Sequence, residues 1–499
     1  MKLSLILENT AAQFAGPDAE ISAVVNDSRL AAPGAVFFAL PGARTDGARF
    51  IAQALEKGAS AVVSAQEFPR ELKDGYPGAA FVKTADLAVT LSRAAANFYG
   101  HPSKKLRIFG ITGTKGKTTT AYLLENILRL GGARPGVIGT IDYRVDGRVI
   151  SAAANTTPLA HDLQELLSKM SAADALTAVM EVSSHALALG RVEDVDFDVA
   201  AFTNLQRDHL DFHKDRESYF QAKARIFELL ERSAKKDKCA VINADDERAP
   251  ALLKSLKGKM KVLTFGIDRH ADFRAEKIEV LEDMTRFVLK TDQESLPVKL
   301  HLLGCHNIYN ALAAIACASA GGVTMHSAVE GVEALKNVPG RLERVDLGQE
   351  YRVFVDYAHT DAALENVLSN LKLMPHSRII TLFGCGGDRD RTKRGPMGKI
   401  ACSMSDVTII TSDNPRTEDP AQIFSDIEQA IKGEFSSYEL IPDRKEAITK
   451  AVGLARKGDI VLIAGKGHET YQILKDSTIH FSDVETATEA IKNRGGDAK

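Results

Sequence analysis

The segment from residue 109 to 128 contains the clearest chemical motif in the sequence. It runs FGITGTKGKTTTAYLLENIL: an apolar stretch, a glycine-rich turn, Lys-Thr-Thr and a pattern typical of a helix. Gly113 and Gly116 allow backbone N–H groups to close around phosphate oxygens, and the following helix presents its positive end. Lys117 can neutralise phosphate charge and Thr118 can hold Mg²⁺. The spacing is one residue shorter than the usual phosphate loop, and a turn without nucleotide is the alternative, but the strand, turn and helix together favour ATP binding.

Two further segments place acidic residues and histidines after apolar runs. The polar residues of these segments are Glu181, Ser184, His185 and Arg191 in 178–192, and Asp208, His209, Asp211, His213 and Lys223 in 202–227. A surface network and a zinc site are both alternatives, but ATP chemistry favours a Mg²⁺ site built mainly from oxygen ligands. Lys223 lies between alanines in a predicted helix, and its position alone indicates a snorkelling or ion-paired lysine.

A fourth segment, TIITSDNPRTEDP at 408–420, ends an apolar run in a polar turn. Asp413, Asn414 and Pro415 are residue types that form turns for backbone reasons. Arg416 follows directly after a predicted strand, where α/β sheets usually bind their ligands. Arg416 therefore predicts contact with a charged group, and a solvated arginine at a turn is the alternative.

The composition excludes several classes of protein. A length of 499 residues corresponds to roughly three domains. The formal net charge of −3 shows no overall basic field for nucleic acid or anionic membranes. No apolar segment is long enough for a membrane helix, and the N-terminus lacks a secretory signal. The five cysteines have no paired spacing, so we expect a soluble cytoplasmic protein with reduced, mostly buried thiols and neither disulfides nor a cysteine zinc site.

The elements that must position these motifs alternate between strands and helices. From residue 107 onward, apolar runs that end in polar or glycine-rich turns are separated by helical patterns, which predicts α/β domains with mainly parallel sheets. The polar, proline-containing stretches 98–106 and 335–344 are the predicted domain boundaries. Between 258 and 303 the runs shorten and alternate, which predicts an antiparallel insert or sheet edge.

Ordered motifs along the whole chain resemble one known family. They are NDSR (26–29), GTKGKTTT, NTTP, MEVSSHAL, FTNLQRDHLDFH, LLGCHNIYNALAA, VPGRLERV, VDYAHT, FGCGGDRD, SDNPRTEDP and AGKGHETYQ. This order is similar to the Mur ligase family of peptidoglycan synthesis. The resemblance implies an α/β fold with a UDP-substrate-binding N-terminal domain (1–103), a central phosphate-loop ATPase-like parallel-sheet domain (104–337) and a Rossmann-like C-terminal domain that binds an amino acid (338–499).

The resemblance also implies an activity, cofactors and partners. It implies an ATP-dependent ligase that adds meso-2,6-diaminopimelate to UDP-N-acetylmuramoyl-L-alanyl-D-glutamate through an acyl-phosphate intermediate. The implied cofactors are ATP, Mg²⁺ and a CO₂-derived carbamate on Lys223, a role that replaces the snorkelling or ion-paired interpretation. We expect a monomer without nucleic-acid partners or membrane insertion. The alternatives are the L-lysine-adding version of this ligase, a more distant folylpolyglutamate synthetase and a non-catalytic ATP-binding switch.

The same resemblance assigns roles to individual residues. The implied catalytic residues are Lys117, Glu181, His209 and Lys223, and the implied metal ligands are Thr118, Glu181 and the carbamate of Lys223. The implied ATP contacts are Gly113, Thr114, Lys115, Gly116, Lys117, Thr118, Thr119 and Asn310. The implied contacts to the UDP-linked substrate are Ser28, Thr156, Thr157, Ser184 and Arg191. The implied contacts to the incoming amino acid are Arg389, Asp413, Asn414, Pro415, Arg416, Gly465 and Glu469.

Two positions depart from the family pattern without touching this catalytic set. Lys115 replaces a common asparagine and adds positive charge near the phosphates. Asp361 replaces a common proline, where an aspartate can cap a helix or charge its first turn.

Arg416 distinguishes the diaminopimelate-adding branch of the family from the lysine-adding branch. A guanidinium pairs with the second carboxylate of diaminopimelate and repels the ammonium of lysine.

Overall fold

The computed structural model describes residues 1–42, 45–206, 208 and 212–496, and they form two compact units. The first unit comprises Met1–Ala275, Leu289–Leu296 and Tyr309–Val332. The second comprises Glu276–Val288, Pro297–Ile308 and Glu333–Lys499. The three-domain division with boundaries at 103/104 and 337/338 stays a prediction. Within the described ranges, no helix is long and apolar enough to cross a membrane.

The first hundred residues build a small sheet with apolar layers on both faces. Its elements are α1 (Leu3–Ile6), β1 (Gln13–Ala15), β2 (Ala23–Val25), β3 (Ala35–Phe38), α2 (Ile51–Glu56), β4 (Ala61–Ser64), α3 (Arg70–Gly75), β5 (Ala80–Lys83), α4 (Leu87–Phe98) and α5 (Pro102–Lys105), with 3₁₀ turns at Ser28–Leu30 and Gly47–Phe50. The strand order is β1-β5-β4-β3-β2, with only β1 antiparallel to its neighbour. Val36 and Phe38 pack on one face and Phe37 on the other, so β3 is apolar throughout.

The middle of the chain forms a larger, mainly parallel sheet. Its elements are β6 (Arg107–Thr112), α6 (Lys117–Leu130), β7 (Pro135–Ile138), β8 (Asp142–Val145), β9 (Arg148–Ala152), α7 (Ala160–Ala172), β10 (Thr177–Glu181), α8 (Ser184–Ala188), β11 (Val199–Phe202), α9 (Arg216–Arg232), β12 (Cys239–Asn243), α10 (Ala249–Leu256), β13 (Lys261–Gly266), β14 (Phe273–Val280), β15 (Thr285–Lys290), β16 (Ser295–Leu300), α11 (Cys305–Ala320) and α12 (Met325–Ala334). Within the first unit the order runs β13-β12-β11-β6-β10-β7-β8-β9.

The parallel pairing of β6 with both β10 and β11 positions the candidate site. Parallel strands bring their carboxyl ends to one edge, so the residues that follow β6, β10 and β11 meet there. The sequence predicts an antiparallel insert or a sheet edge between 258 and 303, and antiparallel pairing is wrong for β13. This strand pairs in parallel with β12 and with the start of β14. The helix α10 connects β12 to β13 as the crossover that a parallel pair needs.

The C-terminal part forms a third sheet with helices on both faces. Its elements are β17 (Glu343–Val345), β18 (Arg352–Asp356), α13 (Asp361–Lys372), β19 (Ile379–Phe383), α14 (Arg394–Met404), β20 (Val407–Ile410), α15 (Pro420–Ile431), β21 (Tyr438–Leu440), α16 (Arg444–Leu454), β22 (Ile460–Ala464), β23 (Tyr471–Ile473), β24 (Thr478–His480) and α17 (Asp483–Gly496). The order is β17-β18-β22-β19-β20-β21, antiparallel only at β17. The predicted α/β class is therefore confirmed.

From the sequence, Asp361 is expected to be either a helix cap or a first-turn charge. It lies in the first turn of α13, and Thr360 is the N-cap.

The prediction that most of the cysteines are buried is confirmed. All five are free, and Cys305 is exposed whereas the other four are buried. Burial raises the pKa of the Cys385 thiol to about 12, so this side chain is not an activated nucleophile.

Candidate active site

The phosphate loop is a tight turn between β6 and α6. Gly113 and Gly116 have φ values of +149° and +88°, a region that side chains rarely adopt. A Cβ at Gly116 would collide with Asn310 Oδ1, so the loop packs directly against the predicted adenine contact. Lys117 Nζ donates to the carbonyl oxygens of Gly113 (2.9 Å) and Thr114 (3.1 Å). Its positive charge therefore lies at the loop itself, where phosphate oxygens would bind.

The end of β11 holds this loop in shape. The backbone N–H of Lys115 donates to Asn204 Oδ1 (3.0 Å), and Thr203 Oγ1 donates to the carbonyl of Lys115 (2.7 Å). Lys115 Nζ lies 3.4 Å from Asp208. Thr119 is buried in the first turn of α6. The structure therefore brings together all the residues that we expected to contact ATP.

Glu181 ends β10 next to the phosphate loop and is 1% exposed. Its carboxylate accepts a hydrogen bond from Thr118 Oγ1 (2.9 Å). It also accepts from the backbone N–H and the hydroxyl of Thr140, both at 2.9 Å. An acidic oxygen and a threonine hydroxyl thus lie in contact at the start of α6.

The central residues expected to bind the UDP-linked substrate connect to Glu181. Thr156 Oγ1 lies 3.1 Å from Thr140 Oγ1. Thr157 Oγ1 donates to the backbone oxygen of Glu181 (2.8 Å), and Arg191 Nη1 donates to the carbonyl of Thr157 (3.0 Å). Thr156, Thr157 and Arg191 therefore belong to one hydrogen-bonded group with the predicted metal ligand.

Lys223 lies on the apolar face of α9 and is 1% exposed. Asp215 caps this helix, and the Tyr219 ring one turn before Lys223 lies 4.4 Å from its Nζ. The Nζ donates to the carbonyl of Gly113 (2.8 Å). Burial, and then repulsion by Lys117, hold the pKa of Lys223 well below its usual range. The snorkelling interpretation is wrong, because the amine does not reach solvent.

Ser184 and the histidines lie near the start of α8. Ser184 is 1% exposed, and its Oγ lies 3.0 Å from His213 Nε2. The His185 ring stacks near Phe212, with centroids 4.0 Å apart. His209, a predicted catalytic residue, and Asp211 lie outside the described residues. Within the described part of the chain, no three His, Cys, Asp or Glu side chains form a metal-binding group.

Ser28 stands apart from the group around Glu181. It is buried in the first 3₁₀ turn, and its hydroxyl donates to Gln53 Oε1 in α2 (2.7 Å). Among the described hydrogen bonds, none links Ser28 to the central substrate residues. Its predicted contact with the UDP-linked substrate rests on the resemblance alone.

The predicted amino-acid contacts lie at the carboxyl ends of β19, β20 and β22, with Arg416 in a strained turn. Arg416 has φ +54°, an uncommon value for a residue with a side chain. Its backbone N–H donates to Ile473 O (3.1 Å), and Nη1 donates to Gly387 O (2.9 Å) and Asn414 O (3.3 Å). Among the described residues, Nε and Nη2 have no hydrogen-bond acceptor. The Arg416 side chain is therefore anchored through Nη1, and its Nε and Nη2 can donate hydrogen bonds to an anion.

Arg389 and Pro415 lie next to the same glycine-rich turn as Arg416. A Cβ at Gly386 would lie 2.9 Å from Arg416 Nη1 and 3.8 Å from Arg389 Cγ, so the two arginines flank this glycine. Arg389 is exposed, whereas Pro415 is buried and packs against Gly387. Two guanidinium groups therefore lie at the end of β19 and β20.

The acidic residues of this group, Asp413 and Glu469, lie in the loops that follow β20 and β22. Asp413 is 7% exposed, and Gly465, at φ +116°, lies so close that a Cβ would be 2.8 Å from Asp413 Oδ2. Asn414 is buried, and its Nδ2 donates to Glu469 Oε2 (2.8 Å). The predicted amino-acid contacts thus bring cationic and anionic groups to one sheet edge.

Sequence reasoning missed three residues that organise these sites. Thr140 fixes Glu181, Tyr219 packs against Lys223, and the buried Lys466 bonds to Asn414 and Glu469. Lys466 belongs to the motif AGKGHETYQ, and Thr140 lies in the apolar run GVIGTID. Both positions could therefore have been considered as site residues from the sequence. Nothing in the local pattern shows which side chain each one contacts.

Comparison with known proteins agrees with this arrangement. Three family models match the chain: the Mur ligase family catalytic domain at 20–99, the Mur ligase middle domain at 111–318 and the Mur ligase glutamate ligase domain at 340–467. The UDP-N-acetylmuramoyl-L-alanyl-D-glutamate–2,6-diaminopimelate ligase of Solibacter usitatus (strain Ellin6076) is 45% identical over 476 residues, which cover 95% of this chain and 94% of that protein.

Two further proteins with this name agree over the full length. The ligase of Bacillus licheniformis (strain ATCC 14580) is 43% identical over 492 residues, which cover 98% of each chain. A solved structure of such a ligase superposes with a TM-score of 0.69 at 33% identity, covering 99% of each chain. Because the identity is this high over almost the whole length, the chain belongs to the Mur ligase family.

Proposed function

We propose that the chain is an ATP-dependent amide ligase of cytoplasmic peptidoglycan precursor synthesis. It adds meso-2,6-diaminopimelate to UDP-N-acetylmuramoyl-L-alanyl-D-glutamate. The observation that carries this proposal is the cluster of charged groups at the ends of β20 and β22, where Arg416 keeps two donor nitrogens near the carboxylates Asp413 and Glu469. Relatives named for this reaction match almost the whole chain, which supports the assignment.

The reaction needs a phosphate donor because a carboxylate is a poor electrophile. Transfer of the γ-phosphoryl group to the glutamate carboxylate would give an acyl phosphate, and the amine would displace phosphate to form the amide. The first-turn N–H groups of α6 would supply backbone donors, and Lys117 would supply positive charge for the ATP phosphates. The buried Asn310, in contact with the loop, would bind the adenine.

The residues at the phosphate loop fit Mg²⁺. Mg²⁺ prefers oxygen ligands, and Thr118 Oγ1 and the Glu181 carboxylate are already 2.9 Å apart. They would hold the ion between the loop and the end of β10, and His209 would help to order the site. When bound, Mg²⁺ would shield the negative charges of the phosphates and the carboxylate.

The surroundings of Lys223 fit a carbamate. CO₂ bonds to a neutral amine, with loss of one proton and formation of a carboxylate on Nζ. The buried position beside Lys117 favours the neutral amine, and the new anion would be stabilised by the same positive charge. The carbamate oxygens would serve as a ligand for a second Mg²⁺.

The two substrates would use separate sets of residues. Ser28, Thr156, Thr157, Ser184 and Arg191 would contact the UDP-linked sugar-peptide. For diaminopimelate, Arg389 and Arg416 would bind carboxylate, and Asp413 and Glu469 would bind ammonium, with Asn414, Pro415 and Gly465 shaping the pocket. Lysine lacks the second carboxylate, so it would leave the donors of Arg416 unpaired.

The experiment that tests the function measures phosphate release and tripeptide mass with purified protein. ATP, Mg²⁺ and UDP-N-acetylmuramoyl-L-alanyl-D-glutamate are combined with meso-diaminopimelate, L-lysine or no amine. We expect tripeptide formation with diaminopimelate and far less with lysine. Preference for lysine would identify the other amino-acid-adding activity, and ATP binding without turnover with any amine would indicate a non-catalytic switch.

A further inference from the structure

Lys466 lies just after β22 among the predicted amino-acid contacts and is fully buried, with 0% of its surface exposed. Its Nζ donates to Asn414 Oδ1 (3.2 Å), Glu469 Oε2 (3.0 Å) and the carbonyl of Tyr471 (2.6 Å). An ammonium group has three N–H donors, and these three acceptors use all of them. Lys466 therefore has no donor left for a ligand, and its effect on a ligand must pass through its neighbours.

The hydrogen bonds of these neighbours converge on one atom. Asn414 Oδ1 accepts from Lys466 and from the backbone N–H of Ile473 (2.9 Å), which fixes the orientation of the amide. Its Nδ2 then donates to Glu469 Oε2 (2.8 Å), the same oxygen that accepts from Lys466. Within the described residues, Glu469 Oε1 accepts no hydrogen bond. One oxygen of the carboxylate is held by the protein, and the other stays available.

We infer that Lys466 is the positioning residue of the amino-acid pocket: it fixes Glu469 so that Oε1 accepts an ammonium group of the incoming amino acid. This inference rests on the proposed function, because it assigns Glu469 to the amine substrate. A carboxylate that is already oriented loses little side-chain entropy when the ligand binds. The buried positive charge also offsets the cost of holding Glu469 and Asp413 near each other in a mostly buried site.

The first test is Lys466→Met, which keeps the length of the side chain and removes the charge. Loss of one charged hydrogen-bond donor should raise the KM for diaminopimelate about tenfold to a hundredfold. The KM for ATP and the KM for the UDP-linked substrate should stay close to wild-type values, and kcat should change much less than the KM for diaminopimelate. An unchanged KM for diaminopimelate would overturn the inference.

A double-mutant cycle separates positioning from general support of the fold. If Lys466 acts through Glu469, Lys466→Met should add little to the KM increase already caused by Glu469→Gln. A purely structural role would multiply the two losses, and that result would overturn the inference. Lys457→Met is the matched control, because Lys457 is exposed and pairs with Glu350 at 2.7 Å in the same unit. Its KM for diaminopimelate should equal that of the wild type.

A second variant keeps the test decisive if Lys466→Met does not fold. Lys466→Gln retains two N–H donors without the charge, so a smaller KM increase with the same non-additivity toward Glu469→Gln supports the inference, and multiplied losses overturn it. The wild-type enzyme separates the two levels of the proposal. Absence of any diaminopimelate turnover by the wild type would overturn the proposed function. Turnover by the wild type with an unaffected KM in the Lys466 variants would overturn only the role of Lys466.

Discussion

Lys117 and Lys223 donate to the same atom, the carbonyl oxygen of Gly113, at 2.9 and 2.8 Å. One lysine begins α6 and the other lies on the buried face of α9. Two ammonium groups around one acceptor repel each other, and Lys223, as the more buried one, has its pKa lowered. The surroundings of the phosphate loop thus favour the neutral form of Lys223.

Lys223→Ala should reduce turnover by about a hundredfold or more, the loss typical of removing one group that stabilises a transition state. Short carboxylic acids such as formate or acetate should restore part of the activity, because they can replace the carbamate in the cavity left by the side chain. Phosphate release with saturating substrates measures both effects. Lys257→Ala, which removes an exposed lysine, serves as the control and should be unaffected. Full activity of Lys223→Ala in a CO₂-depleted buffer would contradict the carbamate.

Gly116→Ala should weaken ATP binding, because the new Cβ collides with Asn310 Oδ1 and displaces the side chain that is proposed to bind the adenine. Gly132→Ala is a matched control: Gly132 has nearly the same conformation, φ +83°, but a Cβ there meets nothing within 4 Å. Both variants should lose about 1–2 kcal/mol of stability from backbone strain. Only Gly116→Ala should raise the Kd for ATP in a calorimetric titration. Equal ATP affinity in the two variants would show that the close approach to Asn310 is unimportant.

Arg416→Ala should raise the KM for diaminopimelate about tenfold to a hundredfold, as expected for loss of a charged hydrogen bond. The KM for ATP should remain unchanged. Because lysine has no second carboxylate, turnover with lysine should fall little. The ratio of diaminopimelate to lysine incorporated in a competition assay should therefore decrease. Arg456→Ala, an exposed arginine of the same unit, is the control. An equal loss for both amines would mean that Arg416 supports the turn and does not select the substrate.

His468 should make stability dependent on pH. Burial, followed by the positive charges of Arg341, His359 and Lys466, lowers the pKa of His468 to about 4 from 6.5. Between pH 6.5 and 4 the unfolded chain binds a proton that the folded chain does not, so stability falls as the pH falls through this window. The loss is at most about 3 kcal/mol and should be complete below pH 4.

His468→Gln should remove this loss, so its free energy of unfolding should rise relative to wild type as the pH is lowered from 7 to 4. Urea unfolding at several pH values measures the difference. His326→Gln, which changes an exposed histidine, is the control and should follow the wild type. Parallel curves for wild type and His468→Gln would show that His468 titrates normally.

The local motifs could be predicted from the sequence because their function depends on neighbours in the chain. The glycines and Lys117 of the phosphate loop follow each other between a strand and a helix, and their spacing alone indicates a phosphate site. The turn that carries Arg416 is likewise formed by residues in direct succession. Alternating apolar runs were sufficient for the α/β class, although they suggested the wrong pairing for β13.

Contacts between distant segments were decided only by the tertiary structure. Lys223 lies 110 residues from Gly113 in the chain, and Lys466 lies 52 residues from Asn414. Periodicity shows which face of a helix is buried, but it does not show which atoms surround a charge on that face. The environment of Lys223 sets its pKa, and the environment of Lys466 sets which oxygen of Glu469 is available. The sequence by itself determined the fold class and the phosphate and arginine motifs, whereas packing decided the charge and orientation of the groups between them, because both depend on neighbours that folding brings together.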